Sequence, residues 1–420
     1  MNVTHPGISL LRLDWPDAHV VARDGAHMAT GGELRAAIER RRLPALPRRR
    51  ILLQEKTPFD FLAALLAALT DDHVPVIPPN YQPQTLASFT NLAPPHEVTP
   101  QTLELYTSGS SGEPKCVRKT VRQLDAECDV LEQCWGGLAS GTTTLATTPH
   151  HHIYGLLFRL LWPLTAGRPF DNTTIAEPTA LVESLRETPS TLLISSPAHL
   201  SRLYQLLDLA ALPQRPKLIF SSGGPLAAET AARYKRDWGT TPIEVFGSTE
   251  SGGIAWRQHD LGERWQPLPK VVVDTDTDGA LLVRSPFLPD DQPLRMEDAA
   301  EICADGTFLL RGRLDRIVKI EEKRLSLPEM EAWLTDHPAV ASAAIAPLTL
   351  SGRTLVGAVV VAKSGIPERK ALIDSLRQHL RQRFDTVLLP RRWRFVGELP
   401  CNERGKLALA EVTRLLESTP

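Results

Sequence analysis

Tyr106-Thr-Ser-Gly-Ser-Ser-Gly-Glu-Pro-Lys115 is the stretch on which the reading of this chain turns. It follows an apolar run, Leu103 to Tyr106, with the pattern of a strand. Hydroxyls at Thr107, Ser108, Ser110 and Ser111, glycines at Gly109 and Gly112, and the ammonium of Lys115 then fall in one short polar segment. Glycines free backbone amides to point at an anion, hydroxyls add donors and the ammonium adds charge, which together suit a polyphosphate. The same composition also suits a flexible Ser/Gly loop. A Walker loop is excluded, because that motif needs Ser or Thr after its lysine and Lys115 is followed by Cys116.

On either side of this segment the chain alternates strand and helix. Ile51 to Leu53, Phe59 to Leu69 and Val74 to Ile77 read as strand, helix and strand, a βαβ unit. The alternation returns with Thr143 to Leu145 before a helix over Gly155 to Leu164, Thr191 to Ser195 before His199 to Leu209, and Leu218 to Ser221 before Ala227 to Trp238. Ile243 to Phe246 adds a further strand. A covered, mainly parallel sheet is expected, with ligands beyond the carboxyl ends of its strands. From Lys270 to Arg313 short strands broken at Asp278-Gly279 and Asp305-Gly306 predict a small antiparallel subdomain. Beyond Leu314-Asp315, helices over Leu327 to Thr335 and Arg369 to Phe384 and strands over Ala341 to Ala346, Leu355 to Ala362 and Trp393 to Val396 predict a small α+β domain. The fold class is therefore α/β, with a large N-terminal domain over residues 1–313 and a C-terminal domain over 314–420.

Composition narrows the function. Forty-two per cent hydrophobic and 23% charged residues are ordinary for a globular chain, and 47 basic against 49 acidic residues leave a net charge of −2. Nothing in that balance attracts nucleic acid or an anionic membrane, so a small-molecule substrate is expected. Cys116, Cys128, Cys134, Cys303 and Cys401 form no Cys-x-x-Cys pair, which fits a reducing cytoplasm, and no apolar run is long enough to span a bilayer.

Further segments carry chemistry. Pro149-His-His-His-Ile-Tyr-Gly155 sets three histidines in a row, which cannot all face one ion in regular structure. Phe220-Ser-Ser-Gly-Gly-Pro-Leu226 and Glu244-Val-Phe-Gly-Ser-Thr-Glu250 each follow a strand. Asp298 precedes the Asp305-Gly306 turn, Gly312-Arg-Leu-Asp-Arg-Ile-Val-Lys319 stands at the domain boundary, and Leu399-Pro-Cys-Asn-Glu-Arg-Gly-Lys406 lies near the C-terminus. Read singly, Glu250 is a turn carboxylate, Asp298 and Arg313 a surface pair, and Lys406 a solvated charge. Taken in order, these segments and the Thr107–Lys115 loop resemble the adenylate-forming superfamily of acyl-CoA synthetases, aryl acid ligases, luciferases and nonribosomal adenylation domains.

The resemblance implies ATP and Mg2+ as cofactors, activation of a carboxylic acid to acyl-AMP, and transfer to the thiol of coenzyme A or of the phosphopantetheine arm of an acyl carrier protein. It implies that Thr107, Ser108, Gly109, Ser110, Ser111, Gly112 and Lys115 hold the phosphates. Gly223, Gly224, Phe246, Gly247 and Ser248 would line the adenine and acyl site, and His152 would wall the acyl pocket. Thr249 and Glu250 would organise phosphate and metal, with Glu250 as the metal ligand. Asp298 and Arg313 would hold the ribose, and Lys406 would bridge the attacking carboxylate and the α-phosphate. Asp315 is the implied hinge of a mobile C-terminal domain.

The sequence also departs from the family pattern. The phosphate loop begins early, near residue 107, so the N-terminal region is abbreviated; Cys116 replaces a common glycine; and Glu322 stands where a glycine usually lines the pantetheine path. Gly155, Ser221 to Gly224, Gly247 and Gly252-Gly253-Ile254 suggest a narrow, flat-walled acyl slot, and an aryl acid of hydroxybenzoate type is the expected substrate. A medium- or long-chain fatty acid ligase, a non-catalytic nucleotide-binding relative and an ordinary P-loop NTPase are the competing readings.

Overall fold

The computed structural model describes residues 9–90, 92–95, 98–108, 114–212, 214–320, 323–350, 353–363, 369–401 and 407–418. The chain forms two compact units, Met1–Val273 with Val283–Leu294 and Asp274–Leu282 with Arg295–Pro420.

The first unit begins with a hairpin of β1 (Val20–Asp24) and β2 (His27–Thr30) that runs into the helix Gly31–Glu39. Thr30 Oγ1 accepts the Glu33 amide at 3.3 Å while the Glu33 carboxylate accepts the Thr30 amide at 2.7 Å, a reciprocal cap on the helix end. The expected βαβ unit follows as β3 (Arg50–Leu52), the helix Pro58–Thr70 and β4 (Val74–Ile77), with β3 and β4 parallel. Every residue of that helix from Phe61 to Leu69 is buried, as its all-round apolar surface requires. β5 (Thr102–Ser108) pairs parallel to β4, and β6 (Pro114–Thr120) returns antiparallel along β5, giving the sheet order β3-β4-β5-β6. Arg50 reaches from β3 to grip the buried Glu104 of β5 in a two-pronged pair of 2.8 and 3.0 Å, joined by Arg118 Nε at 3.2 Å.

A larger sheet holds β7 (Thr143–Ala146), β8 (Phe170–Thr174), β9 (Thr191–Ser195), β10 (Leu218–Ser221), β11 (Ile243–Ser248), β12 (Gly252–Arg257) and β13 (Gln266–Pro267). Its order is β13-β12-β11-β10-β9-β7-β8-β1-β2. From β1 through β8, β7, β9 and β10 to β11 each neighbouring pair is parallel, and only the outer pairs at either edge are antiparallel. The segments after β7, β10 and β11 therefore leave from one edge of the sheet. On one face the helices Pro178–Glu187, Pro197–Leu206 and Ala228–Trp238 bury Leu185, Leu200, Leu203, Tyr234 and Trp238 against Leu145, Leu193 and Ile219.

The run from Gly155 to Leu164 differs from the single helix expected. Leu156–Leu161 forms a π-helical turn between short α-helical turns at Ile153–Gly155 and Trp162–Thr165. Such a turn inserts one residue and shifts the phase of the side chains that follow. Here it coincides with Arg159, wholly buried, whose guanidinium donates to Thr148 O at 3.1 Å, Thr174 Oγ1 at 2.6 Å and Asp171 O at 3.3 Å. The helix Val121–Ala139, begun by a second reciprocal cap between Thr120 and Gln123, has no counterpart in the sequence reading.

Residues 272–313 form the expected small sheet, in the order β14 (Val272–Thr275), β15 (Ala280–Arg284), β16 (Leu294–Ile302) and β17 (Phe308–Arg313), with β16 and β17 antiparallel. A short pair, β18 (Ile317–Ile320) and β19 (Lys323–Ser326), leads to the helix Leu327–Thr335. The second unit is built on β20 (Val340–Leu350), β21 (Arg353–Ala362) and β22 (Arg392–Val396), with β20 and β21 antiparallel and β22 parallel to β21. Alternation along β21 divides its residues between two cores. Val356, Ala358 and Val360 meet Met330 and Leu334 of one helix and Leu372 and Leu376 of the helix Arg369–Leu380, while Val359 meets Val412 and Leu416 of the final helix Leu409–Glu417. The five cysteines are free, and among the described residues no helix is long and apolar enough to cross a membrane.

Two stability predictions follow from buried charge. Arg50→Met leaves Glu104 with Arg118 alone and is expected to cost about 2–4 kcal/mol in urea unfolding; the double change Arg50→Met with Glu104→Leu should recover most of it. His150 is 2% exposed, sits 4.7 Å from the Phe61 ring and places Nε2 3.2 Å from Glu55 O. Burial, with the charges of Arg159 and His151, pushes its pKa from 6.5 down to about 3. The folded state thus resists a proton that the unfolded chain accepts, so this contribution is whole above pH 6.5 and is lost as pH falls from there toward 3. The expected slope is about 1.4 kcal/mol per pH unit. Urea midpoints of the parent and of His150→Phe between pH 7 and 4.5 measure it; parallel curves would assign His150 an ordinary pKa.

Candidate phosphate and acyl site

Thr107 and Ser108 end β5, Lys115 lies at the start of β6, and the two strands pair Thr107 with Lys115 and Ser108 with Pro114. Gly109, Ser110, Ser111 and Gly112, between them, lie outside the described residues. The Lys115 side chain is 62% exposed, and its Nζ donates to Glu250 Oε1 at 2.7 Å. This contact joins the hairpin of one sheet to the edge of the other, 135 residues apart in the chain.

Glu250 sits in the tight turn between β11 and β12. Ser248 N donates to Ser251 Oγ at 2.9 Å and Ser251 N donates back to Ser248 Oγ at 3.1 Å, which fixes the turn on the wholly buried Ser251. Partial burial raises the Glu250 pKa, but the Lys115 hydrogen bond, its own amide, the Lys115 charge and the Ser248 hydroxyl outweigh that and bring it below the usual carboxylate range. Glu250 is therefore ionised at neutral pH. Thr249 precedes it in the turn, and Phe246 packs on Trp265 with ring centroids 5.5 Å apart.

The turn after β10 is held from below by a residue not singled out in the sequence. Glu244, 2% exposed, accepts the Leu226 amide at 2.8 Å on one oxygen and Arg257 Nε at 2.7 Å on the other, while His259 Nε2 lies 3.0 Å from both Glu244 and Leu226 O. Ser222 Oγ donates to Val245 O at 2.8 Å. Gly223 and Gly224 are so suspended at the sheet edge next to the Phe246–Glu250 segment. The available signal was a carboxylate inside an apolar strand, between Ile243 and Val245, where an unpaired charge would be costly.

The glycines do not all line a slot, which corrects the sequence expectation. A Cβ on Gly155 would run into the Pro149 carbonyl oxygen, one on Gly247 into Gly252 O, one on Gly252 would lie 2.7 Å from Glu127 Oε2, and one on Gly253 2.9 Å from Leu268 Cδ1. These four serve close packing. Only around Gly223 and Gly224, among the expected slot glycines, is the space open. His152 precedes the Ile153–Gly155 turn in extended backbone, half-buried, with its ring 4.2 Å from that of His151, which in turn lies 4.5 Å from Tyr81. Arg159 is a second residue that the sequence reading passed over; by holding Thr148 O it anchors the strand end that leads into the histidine segment. Its signal was one arginine inside the apolar run Leu156 to Leu161.

In the second unit Asp298 and Arg313 are directly opposite on β16 and β17, with Arg313 Nη1 3.8 Å from Asp298 Oδ2, and Asp298 is the more buried of the two at 15% exposure. Leu314–Arg316, with Asp315 at its centre, is a single 3-10 turn. Lys406, Glu321 and Glu322 lie outside the described residues.

Comparison with known proteins identifies the family. The model of the AMP-binding enzyme family matches residues 37–312, and that of the AMP-binding enzyme C-terminal domain matches 329–406. The chain is 27% identical over 303 residues to a 4-coumarate–CoA ligase of Cereibacter sphaeroides, covering 72% of this chain and 69% of that protein. It is 24% identical over 347 residues to a D-alanine–D-alanyl carrier protein ligase of Staphylococcus epidermidis, covering 74% and 70%. Its fold is similar to that of ATP-bound MatB from Rhodopseudomonas palustris, with a TM-score of 0.79 at 18% identity over 97% of this chain and 98% of that one. It is similar also to a benzoate CoA ligase from Burkholderia xenovorans, with a TM-score of 0.76 at 20% identity over 96% and 98%. The chain, with its β5–β6 hairpin joined to the Glu250 turn, belongs to the AMP-binding enzyme family.

Proposed function

We propose that this enzyme is an acid–thiol ligase that joins a carboxylic acid to the α-phosphate of ATP, releases pyrophosphate, and passes the acyl group from the resulting acyl-adenylate to a phosphopantetheine thiol. The observation that carries the reading is the 2.7 Å pair of Lys115 and ionised Glu250, set between the phosphate hairpin and the open Gly223-Gly224 turn. Attack of one anion on another is limited by charge, so positioned cations and carboxylate-held metal are the natural means of lowering the barrier.

In this reading Thr107, Ser108, Gly109, Ser110, Ser111, Gly112 and Lys115 take the β- and γ-phosphates. The Glu250 carboxylate, with Ser248 and Thr249 beside it, is an oxygen set that fits a hard cation. Bound Mg2+ would neutralise phosphate charge and help align the leaving pyrophosphate. Lys115, sharing Glu250, exchanges part of that ion pair for phosphate. Gly223, Gly224 and Phe246 border adenine and the acid, His152 walls the acyl side, and Asp298 with Arg313 receives the ribose hydroxyls. Lys406, carried by a mobile domain of residues 314–420 that turns about Asp315 against the domain of residues 1–313, spans the acid carboxylate and the α-phosphate. A charge contact realised in the transition state contributes about 3 kcal/mol or more.

An aryl acid of hydroxybenzoate type is the proposed substrate, supported by the open space at the Gly223-Gly224 turn and by relatives named for 4-coumarate. The proposed acceptor is a carrier protein's phosphopantetheine, with coenzyme A as the alternative. Glu322 stands where a glycine is usual and, with Glu321, adds two negative charges, which disfavours the more highly charged free coenzyme A. The named D-alanyl carrier protein ligase relative is compatible with a carrier.

ATP–pyrophosphate exchange across hydroxybenzoic, cinnamic, alkanoic and amino acids tests the first half. Exchange that depends on an acid, greatest for the aryl group, is expected; ATP consumption without any acid would replace this reading with an ordinary NTPase, and greatest exchange for alkanoates would move the substrate to fatty acids. Lys406→Ala should lower acyl-adenylate formation roughly a hundredfold or more while thiol transfer from supplied acyl-adenylate changes far less; equal loss in both halves would remove Lys406 from its role. Thioester yield with coenzyme A against a holo-carrier, in the parent and in Glu322→Gly, decides the acceptor.

A further inference from the structure

Lys115 and Lys119 are four residues apart on β6 and so project from the same face of the strand. Both reach Glu250. Lys115 takes the carboxylate at 2.7 Å, and Lys119 donates to the main-chain carbonyl of the same residue at 2.8 Å. Where Lys115 is exposed, Lys119 is 1% exposed, and its ammonium makes a second bond to Phe287 O at 2.9 Å. Gln123, in the first turn of the helix that follows β6, donates to that same Phe287 oxygen at 3.0 Å.

One helical turn further on, Glu127 completes the arrangement. It is 2% exposed, and its Oε1 accepts the Gly253 amide at 2.6 Å. The carboxylates whose charges bear on the Lys119 ammonium are those of Glu127 and Glu250. Glu127 also lies close above both glycines: a Cβ on Gly252, whose φ is +70°, would lie 2.7 Å from Oε2, and one on Gly253, already 2.9 Å from Leu268 Cδ1, would lie 3.2 Å from Oε1. A lysine and a glutamate buried this deeply are expensive, and each is retained here with backbone groups of one short turn as partners.

We propose that Lys119 and Glu127 are positioning residues that clamp the Ser248–Gly253 turn from beneath, Lys119 by the Glu250 carbonyl and Glu127 by the Gly253 amide, so that the Glu250 carboxylate is held ready beside Lys115 for the phosphate side of the reaction. The inference rests on the reading of Glu250 given above. Neither residue touches substrate. A side chain with several torsions, standing on the half-buried part of a turn, would otherwise have to be ordered at each turnover, and such ordering lowers the rate without weakening the binding of the acid.

Lys119→Met and Glu127→Leu in the full chain provide the test; Glu127→Leu keeps the volume, removes the acceptor for the Gly253 amide and is the variant used if Lys119→Met does not fold. Backbone hydrogen exchange over residues 248–253 should quicken at least tenfold, with exchange over Val340–Leu350 unchanged. The kcat of ATP–pyrophosphate exchange should fall roughly tenfold or more with KM for the acid within about twofold. In a Glu250→Gln background Lys119→Met should add less than about twofold, because the two act through one carboxylate. Unchanged exchange over 248–253 in a folded variant would overturn the clamp, and so would a fall in melting temperature with kcat intact in the cold, the signature of a packing role. If Glu250→Gln alone leaves the rate unchanged, the reading of Glu250 fails, while hydrogen exchange still decides whether Lys119 and Glu127 hold the turn.

Discussion

The parallel pairing of β7, β9, β10 and β11 is the constraint on which the rest depends. Strands that run the same way must be joined by crossovers, so every connection that follows a carboxyl end emerges on one side of the sheet. The His150–His152 segment, the Gly223-Gly224 turn and the Glu250 turn come from three separate stretches of chain and become neighbours along that edge for this reason alone. The hairpin of β5 and β6 belongs to another sheet, and the bonds of Lys115 and Lys119 to Glu250 join the two.

Buried charges perform the fastening around this edge. Glu244 holds the turn after β10, Arg159 the segment that follows β7, and Glu104 the sheet that carries the β5–β6 hairpin. Each is almost fully removed from water and each finds backbone or ionic partners in defined directions. Apolar residues of similar volume would stabilise the fold as well or better, since desolvation of an ion offsets most of its Coulomb gain. What a hydrogen-bonded charge adds is direction. Hydrophobic contact leaves a surface turn free to slide by an ångström, whereas a carboxylate that accepts one particular amide does not, and phosphoryl chemistry is sensitive to displacements of that size.

The second unit rests on different physics. Its three-stranded sheet carries apolar residues on both faces, one set against the helices Leu327–Thr335 and Arg369–Leu380 and the other against the final helix. The Leu409–Glu417 helix lies immediately beyond the segment that bears Lys406, and Arg392 and Arg394 donate to the carbonyls at its end. The backbone just after that segment is therefore packed onto the sheet.

Sequence and tertiary structure each contributed a distinct part. Periodicity alone determined the βαβ units, the change to short strands after Lys270 and the α+β tail, because burial on one or both faces of a regular element imposes its period directly on the order of residues. Motif order likewise pointed to the Thr107–Lys115 segment, the Glu250 turn and Asp298. Only the tertiary structure decided what stands behind them. Glu244, Arg159, Lys119 and Glu127 are polar residues in apolar surroundings whose partners lie 11 to 168 residues away, and their bonds go mostly to main-chain groups, which every residue possesses and which therefore leave no mark in the sequence. For the same reason Gly252 and Gly253 read as walls of a slot until the fold brought Glu127 against them: a glycine records that space is needed, and only the folded chain shows what occupies it.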